Sequence, residues 1–95
     1  MIHNDNRYLL TLLYWIIHTP IENINTLDDF ESEIKFNEEF SLEALQYGLK
    51  NLNVYLSQPD LDYNGFFKTG YSNAQVRNFL KIYYEFLGIC LNRYY

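Results

Sequence analysis

Apolar residues recur at helical spacing through the N-terminal third of this 95-residue chain. The pattern predicts a first helix over residues 5–18, with one strongly apolar face. Pro20 stops this helix, because the residue before a proline disfavours the helical conformation. A second, shorter helix is predicted over residues 27–35, since Thr26 and Asp29 have the spacing of a capping box.

A heptad repeat of leucines marks the middle of the chain and consists of Leu42, Leu45, Leu49, Leu52 and Leu56. Asn37 or Ser41 is the expected N-cap of this third helix, and Pro59 closes the segment. Gly48 in the helix interior costs about 1 kcal/mol relative to Ala, which favours a close approach of another helix there. Two heptads are too few for an extended coiled coil, so the leucines are predicted to pack inside their own domain.

Turn-forming residues interrupt the helical pattern over residues 58–71. Asn64 and Gly65 could turn a small hairpin there. Because a two-stranded hairpin is only marginally stable alone, a loop is the prediction. The last helix begins at a second capping box, Ser72 with Gln75, and then carries a wide apolar face.

Together these elements predict an all-α fold, a compact bundle of about four helices with one irregular loop before the last helix. The length suits a single domain over residues 1–95. Hydrophobic residues make up 48% of the chain and aromatic residues 19%, which is enough for a core without disulfides.

The composition also excludes several classes of partner. The net charge is −5 and the chain has only seven Lys and Arg residues, so neither nucleic acid nor an anionic membrane surface is expected as a partner. The apolar stretch over residues 8–17 is about half as long as the roughly twenty residues that span a membrane. Cys90 is the only cysteine, which excludes an internal disulfide and favours a cytoplasmic location.

Charge is strongly segregated along the sequence. Eight acids and one base lie between residues 22 and 43, a net charge of −7, whereas residues 64–95 carry a net charge of +3. The acidic segment is interpreted as a solvated surface, as a docking surface for a basic protein, or as a metal site. A calcium loop needs a central glycine that this segment lacks, so no metal is expected. The docking candidates are Asp28, Asp29, Glu31, Glu33, Glu38 and Glu39.

The loop before the last helix contributes aromatic candidates. Aromatic side chains on irregular segments often anchor a protein partner. On this basis Tyr63, Phe66 and Tyr71 join the predicted binding residues. The alternative is that Phe66 and Phe67 fold down over the helices.

Catalytic signatures are missing from the sequence. His3 and His18 are its only histidines, and Cys90 lies on the apolar face of the last helix, where a core role is expected. There is no phosphate-binding glycine loop, nucleophile elbow or HExxH motif, so no catalytic residue and no cofactor are predicted. A dyad of Cys90 with His18 is the one enzyme alternative.

The chain resembles the small acidic immunity proteins of bacterial contact-dependent inhibition and colicin-type toxin systems. The similar features are its size, its helical pattern and its acidic stretches, residues 28–33 together with Glu38 and Glu39. The resemblance implies a non-catalytic inhibitor in the bacterial cytoplasm that binds one cognate toxin, typically a nuclease. Because it rests on no shared motif, the resemblance assigns no functional role to any individual residue of this chain. A phage-encoded inhibitor of host defence would have the same features.

A second class of function is a structural or regulatory module that assembles with itself through the leucine heptads. That module predicts a stable oligomer in solution, whereas a dedicated inhibitor is expected to be a monomer or a weak homodimer.

Overall fold

The computed structural model of the protein describes residues 7–34 and 41–95, and this part of the chain is all-α and compact, as predicted. A 3₁₀ turn over Ile21–Asn23 joins the first two helices. The α-helices in these ranges are α1 (Arg7–Ile17), α2 (Leu27–Glu33), α3 (Leu42–Leu56), α4 (Tyr63–Phe66) and α5 (Asn73–Tyr94). Among the described helices, none is both long enough and apolar enough to cross a membrane.

The N-caps of α2, α3 and α5 lie at residues that the sequence predicts. The side chains of Thr26 and Ser72 each accept a hydrogen bond from a backbone N–H in the first helical turn, and the side chains of Asp29 and Gln75 each accept one from the backbone N–H of the cap residue. Ser41 caps α3 through its hydroxyl oxygen. These bonds satisfy backbone donors that have no partner within the helix, so the chain itself determines where the three helices begin.

Two helices end slightly earlier than the sequence pattern indicates. α1 ends at Ile17, one residue before the predicted end, and the Thr19 hydroxyl donates to the carbonyl of Trp15 at 2.8 Å. α2 ends at Glu33 because Ile34 is already in an extended conformation. Residues 5 and 35, which bounded the two predicted helices, and the alternative cap Asn37 lie outside the described ranges.

The segment predicted as a loop contains one turn of helix, α4, and the alternative hairpin is not formed. The side chain of Asn64 explains this outcome. Its amide nitrogen donates to the carbonyl of Tyr71 at 2.8 Å, and its amide oxygen accepts from both the backbone N–H and the hydroxyl of the buried Thr69, each at 2.9 Å. Gly70 follows with φ of +86°, a conformation that favours glycine. The chain therefore folds back around one side chain without strand pairing.

Helices α3 and α5 run antiparallel, since Gly48 meets Leu87 and Leu56 meets Arg77, and they make the most extensive helix contact in the described structure. A Cβ atom added to Gly48 would lie 2.9 Å from Cδ1 of Leu87, so the predicted close approach at this glycine is confirmed. At the opposite end of the pair, the guanidinium of Arg77 donates to the carbonyls of Leu56 and Gln58. These are carbonyls left over at the C-terminal end of α3, where a positive charge is also favourable.

An aromatic cluster attaches α1 and α2 to α5. The ring of Phe30, which is fully buried, lies 4.9 Å from Phe86 and 5.7 Å from Tyr83 between ring centroids. Trp15 of α1 contacts Phe79 and Tyr83 edge to face at 5.3 and 5.1 Å. Rings in these geometries stabilise the packing beyond the area that they bury.

The leucine heptads divide between the core and the surface. Leu45 and Leu52 are fully buried, Leu49 and Leu56 are partly buried, and Leu42 is 39% exposed. The prediction that all five pack inside the domain therefore holds for four of them, since Leu49 and Leu56 pack against the core, and is wrong for Leu42. The other two buried residues of α3 are Gly48 and Tyr55. They lie on the buried side of the helix because an undistorted helix rotates away from a strict seven-residue repeat.

Candidate protein-binding surface

The outward half of α2 carries three exposed carboxylates, Asp28, Glu31 and Glu33, which we call the α2 acidic surface. The opposite half of the helix holds it in place through the buried ring of Phe30. Because the apolar residues of this short helix all point inward, its acids necessarily face solvent.

The carboxylates of the α2 acidic surface have no hydrogen-bond or ion-pair partner among the described residues. Within the described residues these three side chains are therefore exposed and are not neutralised by another side chain.

Asp29, predicted as a binding residue, has a structural role in the helix cap. One of its carboxylate oxygens accepts from the backbone N–H groups of Asn25 and Thr26, at 3.0 and 3.1 Å. These hydrogen bonds, the one from Asn25 foremost, hold the pKa of Asp29 below its ordinary value. Its negative charge is thus used within the chain at the positive end of the helix dipole.

Tyr71 is likewise used within the chain. Its hydroxyl donates to a carboxylate oxygen of Glu22 at 2.5 Å and lies 3.2 Å from the carbonyl oxygen of Thr19. The hydrogen bond lowers the pKa of Glu22 and raises the pKa of Tyr71. This contact ties the segment before α5 to the turn after α1.

The remaining predicted binding residues have different environments. Tyr63 is 1% exposed and is part of the core, so it cannot anchor a partner in this conformation. Phe66 is 41% exposed and accessible, whereas its neighbour Phe67 packs against the core near Tyr14. Glu38 and Glu39 lie outside the described residues.

Two exposed apolar side chains on α1 were absent from the sequence-based candidates. Tyr14 is 58% exposed and Leu10 39%, and their four-residue spacing places them on one side of the helix. The sequence does indicate that such exposed apolar side chains exist, because apolar residues surround α1 on all sides and some of them must face away from the core. Which of them does so depends on where α5 lies, and this the sequence does not state.

The structure keeps Cys90 and His18 far apart. His18 is exposed at the end of α1, next to Thr19, whose carbonyl meets Tyr71 just before the start of α5. Cys90 lies seventeen residues into α5, which corresponds to roughly 25 Å of helix. Burial raises the pKa of the Cys90 thiol, so the thiol stays protonated at neutral pH. The Cys–His dyad is therefore not formed.

Metal ligands do not converge within the described ranges either, since no group of three or more histidine, cysteine or acidic side chains there could hold a metal ion. The acids on α2 point outward from a convex helix surface. Such a surface suits long-range attraction of a basic macromolecule better than coordination of an ion.

Comparisons with protein-family models, with curated proteins and with solved structures each found no match to this chain.

Proposed function

We propose that this protein is a non-catalytic inhibitor that binds a basic protein partner through the α2 acidic surface. The observation that carries the proposal is the state of Asp28, Glu31 and Glu33: all three are exposed and none is neutralised by another described residue. The helix that presents them is fixed by the buried ring of Phe30.

Electrostatics makes this arrangement suited to capture of a partner. A patch of one charge sign raises the rate at which an oppositely charged protein associates, and it disfavours partners of the same sign. Because α2 is already capped and packed, little conformational freedom is lost when a partner binds. Exposed Phe66 and Tyr14 offer apolar area for contacts that slow dissociation.

The partner class follows from the same chemistry. An enzyme that cleaves nucleic acid must present a basic cleft to phosphates, and an acidic protein surface can occupy such a cleft. We therefore propose an immunity protein of a bacterial toxin system, with a nuclease toxin as its target and the bacterial cytoplasm as its location. The single cysteine, reduced and buried, suits that compartment.

Affinity capture with charge-matched variants tests this proposal. Tagged protein captures partners at low salt from lysate of the source cells, and bound proteins are identified by mass. One variant combines Asp28→Asn, Glu31→Gln and Glu33→Gln, and leaves Asp29 intact because it caps α2. The control variant loses three exposed acids elsewhere and combines Glu43→Gln, Asp60→Asn and Glu85→Gln.

The proposal predicts one basic protein that is retained by the wild type and by the control variant and is lost from the α2 variant. Equal loss from both variants would show that overall charge, and not α2, governs binding. Recovery of the chain without any partner would also contradict the proposal.

A further inference from the structure

Asn64 and Gly65, at the centre of α4, form a pair with a chemistry of its own. Asparagine is among the chemically least stable residues. A glycine after it makes it more reactive, because no side chain hinders the backbone nitrogen that attacks the asparagine amide. Asn64 is the one asparagine in the sequence that a glycine follows. The pair is therefore where spontaneous deamidation is chemically most favoured in this chain.

Deamidation at this pair is a ring closure followed by hydrolysis. The backbone nitrogen of Gly65 bonds to Cγ of Asn64, the bond between Cγ and Nδ2 breaks, and ammonia leaves with the proton of the Gly65 N–H. Water then breaks one of the two carbonyl carbon–nitrogen bonds of the cyclic imide. Breakage at Cγ gives aspartate, and breakage at the backbone carbonyl gives isoaspartate. The reaction needs no oxidant and no cofactor.

The folded structure restrains both reacting groups. The nitrogen of Gly65 lies within a helical turn and donates its hydrogen to the carbonyl of Asp62 at 3.2 Å. The side-chain amide of Asn64 is held at both ends, since its nitrogen donates to two acceptors and its oxygen accepts from Thr69. Ring closure requires the backbone and the side chain to rotate, so these hydrogen bonds must break before the reaction can proceed.

The products do not fit the same hydrogen bonds. In aspartate a charged oxygen replaces Nδ2 of Asn64 and faces two acceptors, the carbonyl of Tyr71 and Oδ1 of Asn73. Asn73 does not relieve this by turning its amide over, because its Nδ2 donates to Asp62 and its Oδ1 accepts from the backbone N–H of Asn64. Isoaspartate lengthens the main chain inside the α4 turn. Both products therefore destabilise the segment that the amide organises.

We propose that Asn64 is a modification site, protected from deamidation while residues 62–73 are folded and converted irreversibly when this segment opens. The rate in the folded protein is then the rate in the unfolded chain multiplied by the fraction of time that the segment is open. Each conversion removes one molecule from those that can refold the segment. The proposal concerns this chain alone and does not depend on the proposed inhibitor function.

Peptide mapping by mass spectrometry tests the site in native protein and in guanidinium-unfolded protein, both kept at the same mildly alkaline pH. Asn64 should be converted before the other asparagines in the unfolded protein, and at least about tenfold more slowly in the native protein. In guanidinium, Gly65→Ala should slow the conversion by about tenfold or more, because the methyl group hinders the attacking nitrogen. Equal rates in native and unfolded protein, or no preference for Asn64 in guanidinium, would overturn the proposal.

A pair of threonine substitutions identifies the protecting contacts. Thr69→Val removes the buried hydroxyl that donates to Asn64, so it should raise the rate in the native protein by about threefold or more and leave the rate in guanidinium unchanged. The control Thr11→Val removes an exposed hydroxyl that donates to the carbonyl of Arg7, and it should leave both rates unchanged. Equal native rates in the two variants would contradict the role assigned to the hydrogen bonds of Asn64.

The effect of the product is measured with Asn64→Asp. Hydrogen exchange at the backbone N–H of Tyr71, which donates to the hydroxyl oxygen of Thr69 at 3.1 Å, should be at least about tenfold faster than in the wild type. The control Asn53→Asp makes the same change at an exposed position of α3 and should leave this exchange unchanged. Exchange at Tyr71 that stays at the wild-type rate in Asn64→Asp would show that the segment accommodates the product, and irreversible conversion would be ruled out.

Discussion

At the scale of single residues, a few polar side chains determine the shape of the segment between α3 and α5. The side chain of Asn64 accepts hydrogen bonds from Thr69 and donates hydrogen bonds to Tyr71 and Asn73, and Thr69 is 6% exposed. Buried polar groups of this kind stabilise a unique conformation only when all of them are paired. Loss of one partner leaves the others unsatisfied inside the protein.

Asn64→Ala should therefore lower the free energy of unfolding by about 1–3 kcal/mol, since it leaves the backbone N–H of Thr69 without its acceptor, while the Thr69 hydroxyl can still donate to the carbonyl of Tyr71. Urea unfolding followed by circular dichroism measures the loss. Asn53→Ala is the matched control, because Asn53 is exposed on α3, and it should change stability by less than about 0.5 kcal/mol. Equal effects of the two substitutions would contradict the role assigned to Asn64.

Four described tyrosines have a raised pKa, Tyr8, Tyr63, Tyr71 and Tyr83, and they should make stability sensitive to high pH. Burial is the main cause that raises the pKa of Tyr83 and of Tyr8 above the ordinary value, and the two hydroxyls also interact with each other. In the unfolded chain a tyrosine ionises near pH 10. Below that pH these tyrosines are protonated in both the folded and the unfolded chain, and their contribution to stability is fully present. Above it they ionise only in the unfolded chain, so the free energy of unfolding falls.

Unfolding free energies measured from about pH 8 to about pH 11 should start to decrease where the unfolded Cys90 thiol ionises, near pH 9, and should fall more steeply above about pH 10, by a limiting slope of about 1.4 kcal/mol per pH unit for each protected tyrosine. Tyr83→Phe should reduce this slope. Tyr94→Phe changes a residue that is 63% exposed and should leave the slope as it is in the wild type. A slope that is unaffected by Tyr83→Phe would show that another group is responsible.

At the scale of elements, helix ends account for most of what the sequence predicts correctly. The capping boxes at Thr26 and Ser72 and the cap at Ser41 are local signals, because a short polar side chain meets a backbone N–H within the same few residues. The α4 turn was not predicted, since it depends on contacts of Asn64 with residues five to nine positions away.

The contact between Arg77 and α3 is also an element-scale feature. Arg77→Gln should lower the free energy of unfolding by about 1–2 kcal/mol, because the carbonyls of Leu56 and Gln58 lose a charged donor. Chemical denaturation gives the value. Lys81→Gln removes the same charge one turn later from an exposed position and should cost less than about 0.5 kcal/mol. A loss of similar size in both variants would indicate a general charge effect.

At the scale of the whole molecule, sequence periodicity predicts the class of fold but not the division of side chains between core and surface. Leu42 and Leu45 belong to the same heptad pattern, yet one is 39% exposed and the other is fully buried. This difference depends on which side of α3 meets α5, and this is a property of the assembled fold. Asp28 and Asp29 differ for a local reason, because only Asp29 has the spacing from Thr26 that a capping box needs.

The central claim concerns the acids of α2 that are not used in its cap. It is that Asp28, Glu31 and Glu33 face outward and bind a basic protein. The most direct test is the affinity of the captured partner, once purified, for the wild type and for the two charge-matched variants, measured by titration calorimetry. The account predicts that neutralising the α2 acidic surface raises the dissociation constant by about tenfold or more, while the control variant stays within about twofold of the wild type. Equal affinity of the wild type and the α2 variant would contradict the claim.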